Sequence, residues 1–359
     1  MQDAVNSTED TTRPASTQEA WAMQIPRKGG YDVFEKVAVP RKPPGPDEVA
    51  IDVKACGVNF ADTLMRMGMY PEAPKMPFVP GYEVAGTVAA VGADVKNLKP
   101  GDRVMSATYF GGYTTYAVVQ QDKALPIPEH LDFEQAAGLL VNFMTAWVAL
   151  HEMSRIRTGD HVLIHGVAGG VGLAALQIAK NAGCVVYGTA GSQEKLDYAK
   201  SKGLDYGVNY RKHDFVEDIR LNVGRRPIDT ILDAVGGDNI AKDRKLLKPS
   251  GRVVIYGMAS AVTGEKANPF ASLLAGLQMF HVNILSLFSQ NQGIYGLNVL
   301  RLWPHDIMRR CGEEILKEFN EKRLETTIDK VFALEDVGEA HRYLQDRKNI
   351  GNVVLRVNS

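Results

Sequence analysis

The chain has 359 residues, 45% of them hydrophobic and 23% charged, and its formal net charge at pH 7 is −1. This length predicts about two domains, each large enough to bury a core without disulfides. A charge so near zero implies no broad basic surface for nucleic acid, although a local basic patch is compatible with it.

Residues 1–20 predict a disordered tail, because they have no apolar core, unlike a signal peptide, and their acidic residues argue against a transit peptide. No apolar run reaches the ~18 residues of a membrane span, so we expect no integral membrane segment. The cysteines lie far apart, which is typical of buried thiols in a reducing compartment and predicts a cytoplasmic protein. They are Cys56, Cys184 and Cys311.

From residue 21 to about residue 123 the sequence predicts short strands separated by turns. Residues 48–58 and 83–92 are rich in apolar and β-branched residues, and turns are expected at "PGYE" and "KPGDRV". This pattern is typical of a compact antiparallel β domain.

From about residue 160, strands alternate with helices. Residues 161–166 predict a buried strand, 171–183 a helix that ends at a glycine, and 184–190 a second strand. Such strand–helix–strand units connect through right-handed crossovers and form a parallel sheet. The last part of the chain predicts helices and a final strand at residues 352–357.

A glycine-rich loop, "GVAGGVG", lies between the first of these strands and its helix. In dinucleotide folds such a loop lets the backbone approach a pyrophosphate, which the free N–H groups of the helix then bind. Gly169 and Gly172 occupy the second and third fingerprint positions, whereas Val167 replaces the first glycine. The loop in this setting predicts a dinucleotide site.

The end of the second strand favours NADPH over NADH. An NAD site has a carboxylate there that binds the ribose 2′-hydroxyl, but no Asp or Glu follows this strand before Glu194. Ser192 and Lys195 stand where a 2′-phosphate would lie, and a hydroxyl with a cation suits that group. Both residues also have an ordinary explanation, as a helix N-cap and a solvated surface charge.

Several segments together resemble the zinc-independent quinone oxidoreductases of the medium-chain dehydrogenase/reductase family. They are "GVNFADTLMRMGMYP", "PFVPGYEVAGTVAAVG", "GDRV", "HGVAGGVGLAALQIAK" and "LLKPSGRVVIYGM". Three more are most similar to the vesicle amine transport protein branch: "LLVNFMTAWVAL", "YGMASAVTGEK" and "QDRKNIGNVVL". The resemblance implies an α/β protein with a GroES-like β-rich catalytic domain, residues 21–145 and 289–359. A Rossmann doubly wound parallel sheet, residues 146–288, would bind NADP.

The alcohol dehydrogenases of this family hold a catalytic zinc with cysteines and a histidine that have no counterpart here. The matching positions are Asn59, Tyr82 and residues 141–145. A catalytic zinc needs three protein ligands, so we expect no metal and no Lewis acid to polarise an isolated carbonyl. Hydride addition to a conjugated C=C–C=O system needs only hydrogen-bond donors for the enolate oxygen. We therefore predict an NADPH-dependent reductase of quinones or α,β-unsaturated carbonyls.

The resemblance also implies individual site residues. Asn59 and Thr145 should lie at the nicotinamide and take part in catalysis, with Tyr70 as a proton donor or oxyanion partner. Tyr70 can equally be an aromatic residue that caps the turn before Pro71. The cofactor-binding residues implied are Asn59, Thr145, Ala168, Gly169, Gly170, Val171, Gly191, Ser192, Lys195, Tyr210, Gly257, Met258, Phe288 and Asn352.

Two further questions stay open at this point. Residues 281–287, "HVNILSL", resemble the edge strand through which family members form homodimers, although an ordinary core strand explains them as well. The function could also belong to another class, an NADPH-binding, membrane- or lipid-associated protein with little turnover. An RNA-binding role, known for some quinone reductase relatives, gains no support from the net charge.

Overall fold

The computed structural model describes residues 19–262, 264–279, 282–303 and 305–358. The tail expected at residues 1–20 lies almost wholly outside this range. The strands, in chain order, are β1 (Ala20–Gln24), β2 (Glu35–Val39), β3 (Glu48–Val58), β4 (Glu83–Val91), β5 (Arg103–Ala107), β6 (Tyr116–Gln120), β7 (Ala124–Pro126), β8 (His161–His165), β9 (Val185–Ala190), β10 (Tyr206–Asn209), β11 (Ile228–Asp233), β12 (Leu247–Ile255), β13 (Gly293–Gly296), β14 (Ile328–Ala333) and β15 (Asn352–Arg356).

The helices, in chain order, are α1 (Phe60–Arg66), α2 (Phe133–Ala137), α3 (Leu140–Trp147), α4 (Gly170–Asn181), α5 (Gln193–Ser201), α6 (Phe215–Asn222), α7 (Asn239–Asp243), α8 (Pro269–Met279), α9 (Ile284–Gln290), α10 (Val299–Leu302), α11 (Asp306–Asn320) and α12 (Val337–Gln345). Within the described ranges, none of these helices is both long and apolar enough to cross a membrane.

Strands from both ends of the described chain form one β-rich sheet. Its order is β14-β15-β3-β4-β5-β7, with β6 paired to β3. The apolar run of β3 is buried, with Val49 and Ile51 both 0% exposed, which explains its central position. β15 pairs antiparallel with β3, with Val354 opposite Gly57. The carboxyl-terminal segment therefore completes the sheet that the amino-terminal part begins.

The second sheet is parallel and has the order β10-β9-β8-β11-β12-β13. β8 is its first strand in the chain and lies between β9 and β11, so the strand order reverses at β8. In doubly wound sheets, ligands bind at such a switch point, outside the carboxyl ends of the strands. The predicted fold class, a β-rich domain with a doubly wound parallel sheet, is confirmed.

The end of the parallel sheet differs from the sequence prediction. β13 pairs with β12, with Ile294 opposite Val253, so the sheet continues beyond the predicted domain boundary at residue 288. The strand expected at residues 281–287 is wrong in its described part, since α9 begins there. Asn283 caps this helix by accepting the Leu285 N–H at 2.8 Å, and an Asn at this position favours the start of a helix. His281 lies outside the described residues.

A continuous apolar core connects the two sheets through α3. Phe143 on α3 packs against Phe319 on α11, with ring centroids 4.8 Å apart. The same cluster contains Met105 of β5 and Ile164 of β8. One helix thus packs against elements of both sheets, and it positions the candidate site.

Candidate active site

The loop between β8 and α4 forms the cradle that its glycines predict. Gly166 has a φ of 67°, a conformation that glycine adopts readily, so the tight turn occurs one residue before Val167. A Cβ at Gly172 would overlap the carbonyl oxygen of Gly166. α4 starts at Gly170, and its N-cap Gly169 makes no side-chain cap bond. The free N–H groups of the first turn can therefore bind an anion.

The start of β15 holds this loop in place. The Gly351 N–H donates to the Ala168 carbonyl at 2.8 Å, and Asn142 Nδ2 donates to Asn352 Oδ1 at 2.8 Å. A Cβ at Gly170 would overlap Asn352 Oδ1 and lie 2.7 Å from Asn142 Oδ1. The structure thus places Asn352 beside the glycine loop, where it accepts a hydrogen bond from Asn142, a residue that the sequence analysis missed.

The residues after β9 form a second polar cluster. Ser192 Oγ accepts the Lys195 N–H at 3.3 Å and so caps α5. Lys195 Nζ donates to the Arg347 carbonyl at 2.7 Å. A Cβ at Gly191 would lie 2.8 Å from Tyr210 Oη. The structure brings Gly191, Ser192, Lys195 and Tyr210 together. The capping role of Ser192 is compatible with binding of a 2′-phosphate by the same hydroxyl.

Two arginines that the sequence analysis missed add positive charge to this cluster. Arg211 Nε would lie 3.3 Å from a Cβ at Gly191, and Arg347 Nη2 donates to the Ala259 carbonyl at 3.2 Å. Burial lowers the pKa of Lys195 most; Asp329 and Glu194 raise it, and the charges of the two arginines lower it. A bound phosphate would place a negative charge beside these three cations. Arg211 directly follows Tyr210, so its position could have been read from the sequence.

Gly257 and Met258 follow β12 at the carboxyl edge of the sheet. A Cβ at Gly257 would lie 2.6 Å from the Ala234 carbonyl oxygen, because the ends of β11 and β12 touch there. Met258 is 37% exposed. This edge gathers most of the implied cofactor residues: Ala168, Gly169, Gly170, Val171, Gly191, Ser192, Gly257 and Met258.

Phe288 lies at the other edge of the same sheet. It belongs to α9, whose Ser286 Oγ accepts from Arg244 Nη2 at 2.7 Å. Arg226, just before β11, donates to Gln290 Oε1 at 2.8 Å. These contacts hold α9 at the amino ends of the strands, so the structure places Phe288 away from the glycine loop, contrary to its implied role. Its side chain is 82% exposed.

Asn59 begins a chain of buried hydrogen bonds that leads to α3. Its Nδ2 donates to Glu83 Oε1 at 3.0 Å, and Glu83 Oε2 accepts the Val141 N–H at 3.0 Å. Thr145 Oγ1 donates to the Val141 carbonyl at 2.6 Å. Burial raises the pKa of Glu83 to about 7, although these hydrogen bonds lower it. The sequence analysis missed Glu83, which orients the Asn59 amide.

Two tyrosines lie beside this chain of hydrogen bonds. The rings of Tyr70 and Tyr82 have centroids 6.4 Å apart, and both pack in an apolar cluster with Val141. Tyr82 is only 6% exposed, and its hydroxyl interacts with the hydroxyl of Tyr70. Burial raises the pKa of both hydroxyls. Tyr82, which the sequence analysis noted only as a replaced zinc ligand, thus presents a buried neutral hydroxyl beside Tyr70.

The positions that match the zinc ligands do not fit a metal. The Asn59 amide donates to Glu83, and Tyr82 carries a phenol whose raised pKa keeps it protonated. Across the described residues, no group of three or more His, Cys, Asp or Glu side chains could hold a metal ion. The expected absence of a metal stays a prediction.

Comparison with known proteins identifies the family. Residues 45–129 match the family described as alcohol dehydrogenase GroES-like domain, and residues 170–295 match zinc-binding dehydrogenase. The synaptic vesicle membrane protein VAT-1 homolog of Rattus norvegicus is 38% identical over 331 residues, which cover 91% of this chain and 81% of that protein. This chain belongs to the medium-chain dehydrogenase/reductase family.

The VAT-1 homolog places this dehydrogenase/reductase in the VAT-1 branch, and two further relatives show that the branch belongs with the quinone oxidoreductases. The quinone oxidoreductase of Sus scrofa is 37% identical, and the match covers 93% of this chain and 97% of that protein. The crystal structure of Escherichia coli quinone oxidoreductase complexed with NADPH has a TM-score of 0.82 at 28% identity. That match covers 94% of this chain and 99% of the bacterial one.

Proposed function

We propose that this protein is an NADPH-dependent reductase of quinones or α,β-unsaturated carbonyls that works without a metal. The observation that carries the proposal is the position of α3. Asn142 on this helix contacts Asn352 beside the glycine loop. Val141 and Thr145, on the same helix, belong to the hydrogen-bond chain of Asn59. A dinucleotide cradle and a set of polar side chains therefore lie about one helical turn apart.

NADPH fits the residues of the cradle, and the bacterial relative solved with NADPH supports the same cofactor here. The free N–H groups at the start of α4 would bind the pyrophosphate, which Gly170 allows to approach the backbone. Ser192, Lys195 and Tyr210 would bind the 2′-phosphate, because a charged donor makes a strong hydrogen bond to it. Bound NADPH supplies the hydride for the reaction.

The protein's own side chains would orient the reactants and stabilise the charge that develops. Asn59 and Thr145 would fix the orientation of the nicotinamide, since the reacting carbons must approach to about 3–3.5 Å. Reduction of a conjugated carbonyl places negative charge on its oxygen, which a neutral hydroxyl can stabilise by donating a hydrogen bond. Tyr70 and Tyr82 are the candidates for this donor, because burial keeps both protonated.

Oxidation of NADPH in the presence of enones, quinones and enoyl thioesters tests the proposal. We expect at least one activated acceptor to be reduced. We expect no oxidation of simple alcohols with NADP⁺, because Asn59 and Tyr82 replace the ligands of the metal that would stabilise an alkoxide. If NADPH binds and no acceptor in the panel is reduced, the catalytic proposal is rejected.

A second candidate is an NADPH-binding protein with little turnover that associates with membranes or lipids. The VAT-1 homolog of Rattus norvegicus is named a synaptic vesicle membrane protein, which supports this candidate. Flotation of the protein with liposomes, measured together with NADPH turnover, separates the two functions. The structural observation in its favour is a group of apolar side chains on α8 and α9 that are 51% to 82% exposed: Phe270, Leu273, Leu277, Ile284 and Phe288.

We also propose a homodimer in the cytoplasm. In the described chain β13 pairs only with β12, and an open sheet edge usually gains a partner or a cover. A second copy of the chain could pair with this edge and cover the exposed apolar side chains of α8 and α9. Light scattering after gel filtration should give about twice the chain mass of 39.3 kDa; a monomer mass at micromolar concentration would reject the dimer.

A further inference from the structure

A basic cavity of about 280 Å³ lies at the amino edge of the parallel sheet. Every charged side chain that lines it is a cation, and none of these cations lies within 4.0 Å of a carboxylate oxygen of the described residues. The lining residues are Arg220, Arg225, Arg226, Ala241, Arg244, Lys245, Gln290 and Gln292.

The topology of the sheet brings these cations together. Arg225 and Arg226 precede β11, after a turn at Gly224 with a φ of 147°. Arg244 and Lys245 precede β12, which is the parallel neighbour of β11. Strands that run parallel start at the same edge of a sheet, so the two segments meet there. The glycine loop lies at the opposite edge, and the cavity is therefore separate from the cofactor site.

Neutral acceptors hold the arginines without neutralising them. Arg226 Nε donates to the Leu247 carbonyl at 2.6 Å, and Arg244 Nε donates to Gln292 Oε1 at 3.1 Å. Arg220 Nη2, in the last turn of α6, donates to the Lys245 carbonyl at 3.0 Å. A helix carboxyl terminus explains one cation there, but not a set of them. Each guanidinium keeps further N–H groups, because it has five donors in all.

We propose that this cavity binds a multiply phosphorylated group, a bisphosphate or a polyphosphate, either free or as a lipid headgroup. The planar donor fork of arginine matches phosphate oxygens bidentately. Cations that converge on one cavity repel each other, and an anion of several charges converts that repulsion into attraction. The cavity is slightly smaller than the ~300–1,000 Å³ of ordinary ligand pockets, which suits a compact charged group.

Calorimetric titration with sodium tripolyphosphate tests the proposal on the full chain saturated with NADP⁺, so that the cofactor site is filled. The test variant is Arg225→Ala/Lys245→Ala, which removes two exposed cations of the cavity. The matched control, Arg309→Ala/Lys317→Ala, removes the same charge from the exposed face of α11. We expect the test variant to weaken binding at least about tenfold, and the control to leave it unchanged.

A second arm identifies the source of the phosphate. Phosphatidylcholine vesicles with and without phosphatidylinositol bisphosphate are titrated with the same proteins. Binding that needs the bisphosphate lipid and is lost in the test variant identifies a headgroup, whereas binding of tripolyphosphate alone identifies a free anion. If the test variant misfolds by circular dichroism, Arg225→Gln replaces it, with the same expected direction.

Three results would overturn the proposal. One is no binding of either probe by the unmutated protein. Another is an equal loss of binding in the test and control variants, which would mean general charge screening. The third is equal affinity for an RNA homopolymer, which would mean an unspecific polyanion surface.

Discussion

At the scale of single residues, Gly170 is where the glycine loop meets the β-rich part of the molecule. We predict that Gly170→Val abolishes NADPH binding, because even its Cβ would overlap Asn352 Oδ1 and lie 2.7 Å from Asn142 Oδ1. Fluorescence titration with NADPH measures this. The control is Gly276→Val on α8, where a Cβ meets nothing within 4 Å; a normal affinity in Gly170→Val would contradict the proposed cradle.

Lys195 should decide between the two cofactors. We predict that the unmutated protein prefers NADPH over NADH by about tenfold to a hundredfold, since a charge-assisted hydrogen bond contributes roughly 1.5–3 kcal/mol. Lys195→Glu should remove most of this preference by placing a carboxylate where the 2′-phosphate binds. Calorimetry with both cofactors measures it, with Lys200→Glu on the exposed side of the same helix as the control. If the unmutated protein binds NADPH and NADH with equal affinity, the proposed 2′-phosphate site at Lys195 is rejected.

Tyr82 and Tyr70 should respond differently to loss of the hydroxyl. Tyr82→Phe removes a buried hydroxyl whose described neighbour is the hydroxyl of Tyr70, so stability should change by no more than about 1 kcal/mol. If this hydroxyl stabilises the developing oxyanion, kcat should fall by ~100-fold. Tyr70→Phe should reduce turnover only modestly, because protonation after hydride transfer can also come from water. Thermal unfolding and kcat are measured on the same variants. If Tyr82→Phe loses stability but keeps a normal kcat, the Tyr82 hydroxyl contributes to packing and not to the reaction.

At the scale of elements, a buried pair joins β8 to α7 below the glycine loop. His165 Nε2 lies 2.8 Å from Asp243 Oδ1, and His165 Nδ1 lies 2.9 Å from Thr189 Oγ1. Burial lowers the pKa of His165, but Asp243 and Asp233 together raise it more, so the net shift is upward. Burial raises the pKa of Asp243 to about 6.

Both shifts predict that the free energy of unfolding falls as the pH rises. A group with a raised folded-state pKa stabilises fully below its unfolded pKa, about 3.9 for Asp and 6.5 for His, and this contribution disappears as the pH passes the folded value. The loss should begin above about pH 4 through Asp243 and continue above about pH 6.5 through His165. Asp243→Asn should flatten this dependence and cost about 3 kcal/mol near pH 6.

Urea denaturation across this pH range measures the effect of Asp243→Asn. Asp122→Asn, at an exposed carboxylate, is the control and should leave the curve unchanged. If the free energy of unfolding of Asp243→Asn depends on pH as it does in the unmutated protein, titration of the His165–Asp243 pair does not control stability.

At the scale of the whole molecule, we predict a protein without stoichiometric zinc, although its family includes zinc enzymes. The reason is the chemistry of the two residues at the zinc-ligand positions. The Asn59 amide donates a hydrogen bond to Glu83, and Tyr82 packs in an apolar cluster. Elemental analysis of the purified protein should find far less than one zinc per chain, and chelators should leave NADPH oxidation unchanged. One zinc per chain together with chelator sensitivity would refute the metal-free mechanism.

The sequence by itself determined the features that depend on neighbours along the chain. The glycine loop after β8, the cap at Ser192 and the alternation of strands with helices are local, because turn conformation, capping and hydrophobic period act over a few residues. The same local argument failed at residues 281–287, where an apolar run fits a strand or a helix equally well and the Asn283 cap decided it.

Only the tertiary structure decided how these local elements combine into a site. Asn142 and Asn352 are 210 residues apart in the chain, yet their hydrogen bond joins α3 to β15 beside the glycine loop. Three further features depend on packing between distant segments: the burial of the Tyr82 hydroxyl, the position of Phe288 at the amino edge and the cations around the basic cavity. The physical reason is that such contacts form only when the chain closes long loops. The sequence around one residue does not show which distant segment it will pack against.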